Sequence, residues 1–173
     1  MERSYSDSGL TAQRSVLKTR LQNNKEQIFC EWRHRWVRLT PEEWVRQQLL
    51  HRLVEQLGYP ASLIAVEVPL EKISNFQLLT TNDQRLTTNK KFRADAVVYN
   101  RAMQPLMLIE CKAETVSLTQ KTLDQAVIYN RRLNVPYLLL HNGPQTIFVD
   151  LTEENLRFSN VIPFATTVSA SFN

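Results

Sequence analysis

The sequence predicts a mixed α/β fold in which helices pack on a central sheet. Two stretches repeat apolar residues at helical spacing, and five short stretches are continuously apolar or alternate as strands do. Their order along the chain is helix, three strands, helix, two strands. Helices set between groups of strands are typical of a mixed sheet covered by helices.

The first helix is predicted over Thr40–Leu57. Thr40 is a favourable N-cap, Pro41 suits the first helical position, and Glu43 completes a capping box with Thr40. Apolar residues recur every four positions, at Val45, Leu49, Leu53 and Leu57. Gly58 can end the helix, because glycine adopts the left-handed conformation without steric cost.

Two segments precede this helix. Residues 1–25 are polar and are predicted to be a flexible or partly helical extension, with a short helix around Thr11–Leu21. Gln27–Leu39 is rich in aromatic and β-branched residues and is predicted to be a strand or hairpin. Its tryptophans and arginines could contact nucleic acid, but we favour an amphipathic strand whose arginines reach the solvent. These residues are Trp32, Arg33, Arg35, Trp36 and Arg38.

The remaining elements follow the first helix. The sequence predicts strands at Leu63–Leu70, Ala94–Tyr99 and Leu106–Lys112, a helix at Leu118–Leu133, and strands at Pro136–His141 and Gln145–Leu151. The polar segment Ser74–Lys91 is predicted to be a long loop or a protruding hairpin. We therefore expect one domain over residues 26–160, followed by a C-terminal tail over residues 161–173.

Composition narrows the classes of function. The net charge of +4 on 173 residues weakly favours a polyanionic partner. The three glycines are too few and too far apart for a phosphate-binding loop or a dinucleotide fingerprint. Cys30 and Cys111 form neither a disulfide framework nor a zinc quartet. The N-terminus lacks the apolar core of a signal peptide, and no apolar run approaches the ~18 residues of a membrane span, so we expect a cytoplasmic protein with reduced thiols.

The strand Leu106–Lys112 ends in an acid and a base two positions apart. Because side chains alternate along a strand, Glu110 and Lys112 share one face. The preceding predicted strand carries one charged residue, Asp95, and the short connection Asn100–Pro105 favours antiparallel neighbours. Suitable pairing puts Asp95 beside Glu110, although the sequence does not fix the register.

Asp95 and Glu110 would then be two carboxylates at the edge of an apolar core, where they repel each other and lose hydration. A Mg²⁺ ion removes both penalties, and it is commonly held by one or two carboxylates plus waters. Such an ion activates water and stabilises charge on phosphorus, while Lys112 can orient or help deprotonate that water, or offset phosphate charge. These three residues therefore indicate metal-assisted phosphodiester hydrolysis. The alternative is a plain surface ion pair between Glu110 and Lys112.

Four motifs, in order, resemble a known family. They are P-E-E-W-V-R-Q-Q-L-L followed by L-G-Y-P, then R-A-D-A-V-V-Y, I-E-C-K-A and D-Q-A-V-I-Y-N. Together they resemble the PD-(D/E)XK nuclease superfamily and, within it, the N-terminal nuclease domain of type I restriction enzyme R subunits in a stand-alone form. The resemblance covers roughly Leu39–Asp150. Ala94 replaces the proline of the superfamily signature, which is a common change.

The resemblance implies a restriction-endonuclease-like αβββαβ core, with a mixed central sheet flanked by helices. It also implies that Asp95 and Glu110 bind Mg²⁺, for which Mn²⁺ can substitute, and that the Cys111 backbone carbonyl completes the metal site. Lys112 would be catalytic. The Cys111 side chain should point away from the metal and pack as a small hydrophobe.

Further positions match functional residues of the family. Gln125 and Tyr129 are four residues apart, on one face of the second helix, and the resemblance places them beside the active site. The family also has an acidic residue on the first helix, which here would be Glu43 or Glu42. Glu43 is preferred, although the capping box already uses it.

The leading hypothesis is a Mg²⁺-dependent DNA endonuclease, a deoxyribonuclease that hydrolyses phosphodiester bonds. The motor and translocation parts of a complete R subunit are not among these 173 residues, so we expect cleavage to be independent of ATP or to depend on a partner chain. The expected partners are DNA and other restriction or defence subunits, with no membrane. Two alternatives stay open: a nucleic-acid-binding module that keeps the nuclease fold without turnover, and an interaction domain whose charged residues are incidental.

Overall fold

The computed structural model describes residues 17–69, 72–73, 93–152 and 156–169. At residues 125, 128, 129, 131 and 132 it describes the backbone alone. The predicted loop or hairpin Ser74–Lys91 lies outside the described residues, and so does most of the predicted N-terminal extension.

The described strands form two sheets. β1 (Thr19–Gln22), β2 (Lys25–Cys30) and β3 (Arg35–Arg38) lie in that order in a three-stranded sheet. The larger sheet contains, in order, β4 (Ile64–Pro69), β5 (Arg93–Tyr99), β6 (Pro105–Cys111), β7 (Tyr137–His141), β8 (Thr146–Asp150) and β9 (Arg157–Ser159). The helices are α1 (Pro41–Glu55), α2 (Gln120–Leu133) and α3 (Ala165–Ser169).

The larger sheet is mixed, as predicted. All its pairings are antiparallel except the one between β6 and β7. A parallel pair needs a long crossover, and α2 lies between these two strands in the chain. α1, three strands, α2 and two strands follow one another in the predicted order.

The two long helices contribute to two separate apolar clusters on the sheet. Because side chains alternate along β6, Met107 and Ile109 belong to the cluster that contains the α1 leucines, and Leu108 belongs to the cluster that contains Leu123 and Leu133 of α2. All are at least nine-tenths buried. A fully buried side chain of this size stabilises the fold by roughly 1.5–3 kcal/mol, so the strand that carries the predicted site is held from both faces.

α1 begins as its sequence predicts. The Thr40 hydroxyl accepts a hydrogen bond of 3.1 Å from the Glu43 backbone N–H, and Pro41 occupies the first turn. Gly58, with φ of +76°, turns the chain after the helix ends. Within the described ranges, neither α1 nor another helix is long and apolar enough to cross a membrane.

The predicted N-terminal helix is wrong in the part that is described, because Thr19–Gln22 is a strand. Thr19 is opposite Ile28, and Gln22 is opposite Lys25. Asn23 and Asn24, with φ of +50° and +57°, form the tight turn between β1 and β2. Asparagine tolerates this left-handed conformation, and two such residues in succession favour a hairpin whose partner strand overrides the local helical preference.

The sequence analysis also missed β9 and α3, which lie in or near the predicted tail. Ile162 and Val168 are 2% exposed and join the α1 cluster. The Tyr59 hydroxyl donates a 3.0 Å hydrogen bond to the Pro163 carbonyl, and the Ala165 N–H donates to the Leu57 carbonyl. Both elements are too short to give a periodic signal: β9 is defined by its antiparallel pairing with β8, and α3 by these long-range contacts.

Candidate active site

β5 and β6 bring the predicted acids together. Ala96 is opposite Ile109 in this antiparallel pair, and one further step in the same register places Asp95 opposite Glu110. Opposite residues share a face of the sheet, so the two carboxylates are neighbours. Asp95 Oδ2 also accepts a hydrogen bond of 2.7 Å from the Cys111 backbone N–H. The antiparallel pairing that the sequence predicted is confirmed, and the structure supplies the register.

Lys112 and Glu110 form a half-buried ion pair. Lys112 Nζ lies 2.7 Å from Glu110 Oε1, and the two side chains are 29% and 33% exposed. Burial and the charge of Asp95 raise the pKa of Glu110. Burial lowers the pKa of Lys112, but the hydrogen bond to Glu110 and the nearby carboxylates outweigh it, so the net pKa is raised. Lys112 is therefore an ammonium group at neutral pH and serves the site as a positive charge.

Arg46 of α1 binds the first of the predicted metal ligands. Its Nη2 lies 2.6 Å from Asp95 Oδ1, and its side chain is 7% exposed. Its Nη1 lies 2.8 Å from Glu43 Oε2. Sequence analysis missed Arg46, although its spacing of three residues from Glu43 places both on one side of the helix. Both oxygens of Asp95 thus accept hydrogen bonds, one from Arg46 and one from Cys111.

Glu43 belongs to a buried network of charged side chains. Its carboxylate is 7% exposed and accepts hydrogen bonds from Arg33, from Arg46 at 2.8 Å and from Gln47 at 2.7 Å. Arg46 in turn binds Asp95, so Glu43 reaches the predicted site through an intermediate residue. A catalytic role for Glu43 stays a prediction. The contacts described here are those of a residue that holds Arg46 in place.

Glu42 lies in the electric field of the site. Its Oε1 is 3.8 Å from Arg46 Nη2. Burial and the charge of Asp95 raise the pKa of Glu42, while Lys112 lowers it. Glu42 in turn raises the pKa of Lys112. Glu42 is thus an acid of the first turn of α1 whose charge acts on Lys112, and the choice of Glu43 over Glu42 as the functional acid stays a prediction.

Glu67 is a further acid beside the site, and the sequence analysis missed it. It lies on β4 where that strand pairs with residues Ala94–Ala96 of β5, next to Asp95. Its φ of +50° lies in the left-handed region, which costs a non-glycine residue roughly 1–3 kcal/mol. Its Oε1 lies 2.9 Å from Arg33 Nη1 and 3.4 Å from Arg46 Nη1. The available signal was that it is the one charged residue of its predicted strand.

The tryptophans and arginines before α1 divide into two groups. Arg33 points inward, where it binds Glu43 and Glu67, and the Trp32 ring packs edge-on against His51 at 5.4 Å. The other group lies on β3: Arg35 and Arg38 are exposed and Trp36 is half-buried. The predicted hairpin is confirmed, and Trp32 and Arg33 are partly buried against other residues of the domain.

The donor set fits a hard divalent cation. Asp95 and Glu110 supply two neighbouring carboxylates, which is the number that commonly holds Mg²⁺ together with waters. Among the described residues, no group of three or more histidine, cysteine, aspartate or glutamate side chains is arranged to hold a metal, so a closed zinc-type site is not indicated there. Burial and repulsion from the Asp95 carboxylate raise the pKa of Glu110. A bound cation would relieve that repulsion.

Cys111 packs as predicted. Its side chain is fully buried in the α1 cluster, and burial raises the pKa of its thiol well above the ordinary value. The thiol is therefore neutral at physiological pH. Whether its backbone carbonyl binds metal stays a prediction.

Gln125 and Tyr129 lie on α2, which is the predicted helix. Their side chains are outside the described part of the structure, so their place beside the active site stays a prediction.

Two comparisons with known proteins agree with this geometry. The family model described as the type I restriction enzyme R protein N terminus matches residues 41–163, more than half of the chain. A solved fragment of a protein assigned as an HsdR subunit of a type I restriction enzyme, from Vibrio vulnificus YJ016, is similar with a TM-score of 0.52 and 16% identity. The similarity covers 75% of this chain and 24% of that one, so this chain spans about a quarter of the length of that structure. No curated protein matches the sequence.

The structural similarity shows the fold, which is restriction-endonuclease-like. The family match extends from the first residue of α1 to beyond β9 and includes Asp95, Glu110 and Lys112. The resemblance inferred from four motifs is therefore confirmed. This chain belongs to the family of type I restriction enzyme R protein N-terminal domains.

Proposed function

We propose that this domain is a Mg²⁺-dependent endonuclease that hydrolyses phosphodiester bonds of DNA. The observation that carries the proposal is the register of β5 and β6, which, continued one step beyond the Ala96–Ile109 pair, sets Asp95 opposite Glu110, with Lys112 Nζ 2.7 Å from Glu110. Two carboxylates can hold a divalent ion, and a nearby ammonium group can offset phosphate charge during metal-assisted hydrolysis. Its action in the cytoplasm, alone or with other restriction subunits, is part of the same proposal.

The roles follow from the charges. Asp95 and Glu110 would hold Mg²⁺, with Mn²⁺ as a substitute and the Cys111 carbonyl as a third ligand. Bound there, the ion would supply an activated water and neutralise phosphate charge. The Lys112 ammonium group can bind a non-bridging phosphate oxygen or orient the attacking water, because its raised pKa keeps it protonated. Arg46 fixes the position of the Asp95 carboxylate through its 2.6 Å contact.

A second candidate function is DNA binding without cleavage. It is favoured by one observation: both Asp95 oxygens already accept hydrogen bonds, from Arg46 and from the Cys111 N–H. A metal would have to share these oxygens, which lowers its affinity. A domain with this arrangement could keep the nuclease fold as a DNA-binding or interaction module that acts with partner subunits.

Plasmid nicking by wild type and Lys112→Ala, in Mg²⁺, Mn²⁺ and EDTA, tests the proposal, together with calorimetric titration of Mg²⁺ into both proteins. Arg101→Ala is the matched control, because Arg101 is an exposed cation in the turn at the other end of β5 from Asp95. We expect nicking by wild type and the control, and metal binding without nicking by Lys112→Ala.

Other outcomes select between the alternatives. Metal binding by wild type without nicking of DNA would favour the silent module. Absence of both metal binding and nicking would refute the endonuclease and leave the charged residues with a structural role.

A further inference from the structure

The three-stranded sheet has two faces of different character. In β1 and β2, Arg20 is opposite Gln27 and Gln22 is opposite Lys25. In β2 and β3, Gln27 is opposite Arg38 and Phe29 is opposite Trp36. Opposite residues share a face, so one face carries Arg20, Gln22, Lys25, Gln27, Phe29, Trp36 and Arg38. We call it the cationic face. Ile28 and Cys30, which are fully buried, lie on the other face.

The charge on this face has one sign. The strands β1 to β3 contain four basic residues and one acidic residue. The acidic residue, Glu26, is opposite Leu21, which places it on the side away from the cationic face. Arg20, Lys25 and Arg38 are exposed. An exposed patch of one sign raises the local concentration of an oppositely charged ligand, and a polyanion gains from several cations at once.

Arg20 is held in a fixed position on this face. Its guanidinium carbon lies 4.3 Å from the centre of the Trp36 ring, and its Nε donates a 2.8 Å hydrogen bond to Gln27 Oε1. Phe29 packs edge-on against Trp36, with 5.5 Å between ring centres. A guanidinium that is already ordered loses less conformational entropy when it binds a phosphate. The face is therefore a preorganised surface as well as a charged one.

The sheet that carries the cationic face contacts the candidate active site through the turn between β2 and β3. The turn between β2 and β3 carries Arg33, which binds Glu43 and Glu67. Both acids also bind Arg46, which binds Asp95. From this turn to Arg38, at the end of β3, the chain advances roughly 15 Å at strand spacing. The turn end of this sheet therefore lies beside the residues that contact Arg46 and Asp95.

We infer that the cationic face binds the sugar–phosphate backbone of duplex DNA next to the candidate active site. The inference rests on the proposed function for the identity of the polyanion, and it assigns that function a binding surface outside the catalytic residues. Arg20, Lys25 and Arg38 contact phosphates without reading base sequence. Trp36 supports Arg20, because the guanidinium already covers its ring.

The test is fluorescence anisotropy of a short labelled duplex of mixed sequence, titrated in EDTA with wild type and with the double variant Lys25→Glu/Arg38→Glu. Arg20 is left intact because its contacts with Trp36 stabilise the sheet. Arg101→Glu is the matched charge-reversal control. Thermal unfolding of each variant checks that the fold is kept.

We expect the double variant to bind DNA about tenfold more weakly than the control, with a slope of log affinity against log salt that is smaller by about two, one for each lost phosphate contact. If the double variant binds like Arg101→Glu, or if wild type binds no duplex, the inference is overturned. If wild type binds DNA without cleaving it, and the double variant binds more weakly, the inference of a DNA-binding face is supported and the proposed endonuclease activity is refuted.

Discussion

Glu43→Gln should destabilise the fold much more than a lost helix cap would. The carboxylate is 7% exposed and accepts hydrogen bonds from two guanidinium groups, those of Arg33 and Arg46, and from the Gln47 amide. The substitution keeps the shape of the side chain but removes its charge. It also turns an amide group, which is a donor, toward partners that are donors themselves.

The magnitude follows from the burial of these partners. If Glu43 mattered only as part of a capping box, Glu43→Gln would cost well under about 1 kcal/mol, because glutamine serves that position as well. Breaking a buried ion pair costs roughly 3–5 kcal/mol, because the remaining charge is left desolvated. In the variant, Arg33 and Arg46 still form ion pairs with Glu67, and Arg46 still binds Asp95. We therefore expect a loss of stability at the lower end of this range, about 3 kcal/mol. For a chain of this length that corresponds to a fall of roughly 10 °C in Tm.

Urea unfolding of wild type and Glu43→Gln measures this difference as a shift in the midpoint at constant m-value. Asp124→Asn is the control: Asp124 is exposed on α2 and accepts a 2.8 Å hydrogen bond from Gln120, so its loss should cost less than about 0.5 kcal/mol. A loss of about 1 kcal/mol or less for Glu43→Gln would refute the buried network and restore the capping-box interpretation.

Three further predictions concern the site and its surroundings. Glu110→Gln should abolish the rise in Tm that Mg²⁺ causes in wild type, while the Tm in EDTA changes little, because lost attraction to Lys112 and lost repulsion from Asp95 offset each other. A Mg²⁺-dependent rise that persists in the variant would contradict this. Burial lowers the pKa of His141 to about 4. As pH falls below ~6.5, this histidine is therefore protonated in the unfolded chain before it is protonated in the folded one. Wild type should lose about 3 kcal/mol of its free energy of unfolding by pH 4 for this reason. Urea unfolding of His141→Gln across that range should lack this part of the loss. Cys111→Ala should keep Mg²⁺ binding and nicking, measured by calorimetry and plasmid assay, and lose about 1 kcal/mol of stability; loss of metal binding in a folded variant would show that the thiol matters.

Residues that follow local rules were predictable from the sequence. Thr40 caps α1 because its hydroxyl needs only a backbone N–H three residues ahead. The apolar runs of β6 and β7 are strands because their residues are buried on both faces. β1 was mistaken for a helix because Asn23 and Asn24, which make its hairpin, were not recognised as a turn.

The arrangement of charges around Asp95 could not be predicted in the same way. A glutamate three residues after Thr40 suits a capping box and a buried ion pair equally well. The sequence therefore did not show that the Glu43 side chain would turn toward Arg33 and Arg46. The partners come from separate elements, and their distances depend on how α1, β4 and the hairpin pack together. Arg33 on an amphipathic strand resembles a surface residue until that packing is known.

Glu67 sets a limit on how far this domain can be stabilised. Glycine, which the left-handed backbone of β4 would accept without strain, would remove the acid that Arg33 and Arg46 share. A thermostabilising redesign guided by backbone preference alone would therefore choose a residue that disturbs the electrostatic surroundings of Asp95. At this position local conformation and chemistry oppose each other, because the strain costs roughly 1–3 kcal/mol while loss of the acid takes an ion-pair partner from two buried guanidinium groups.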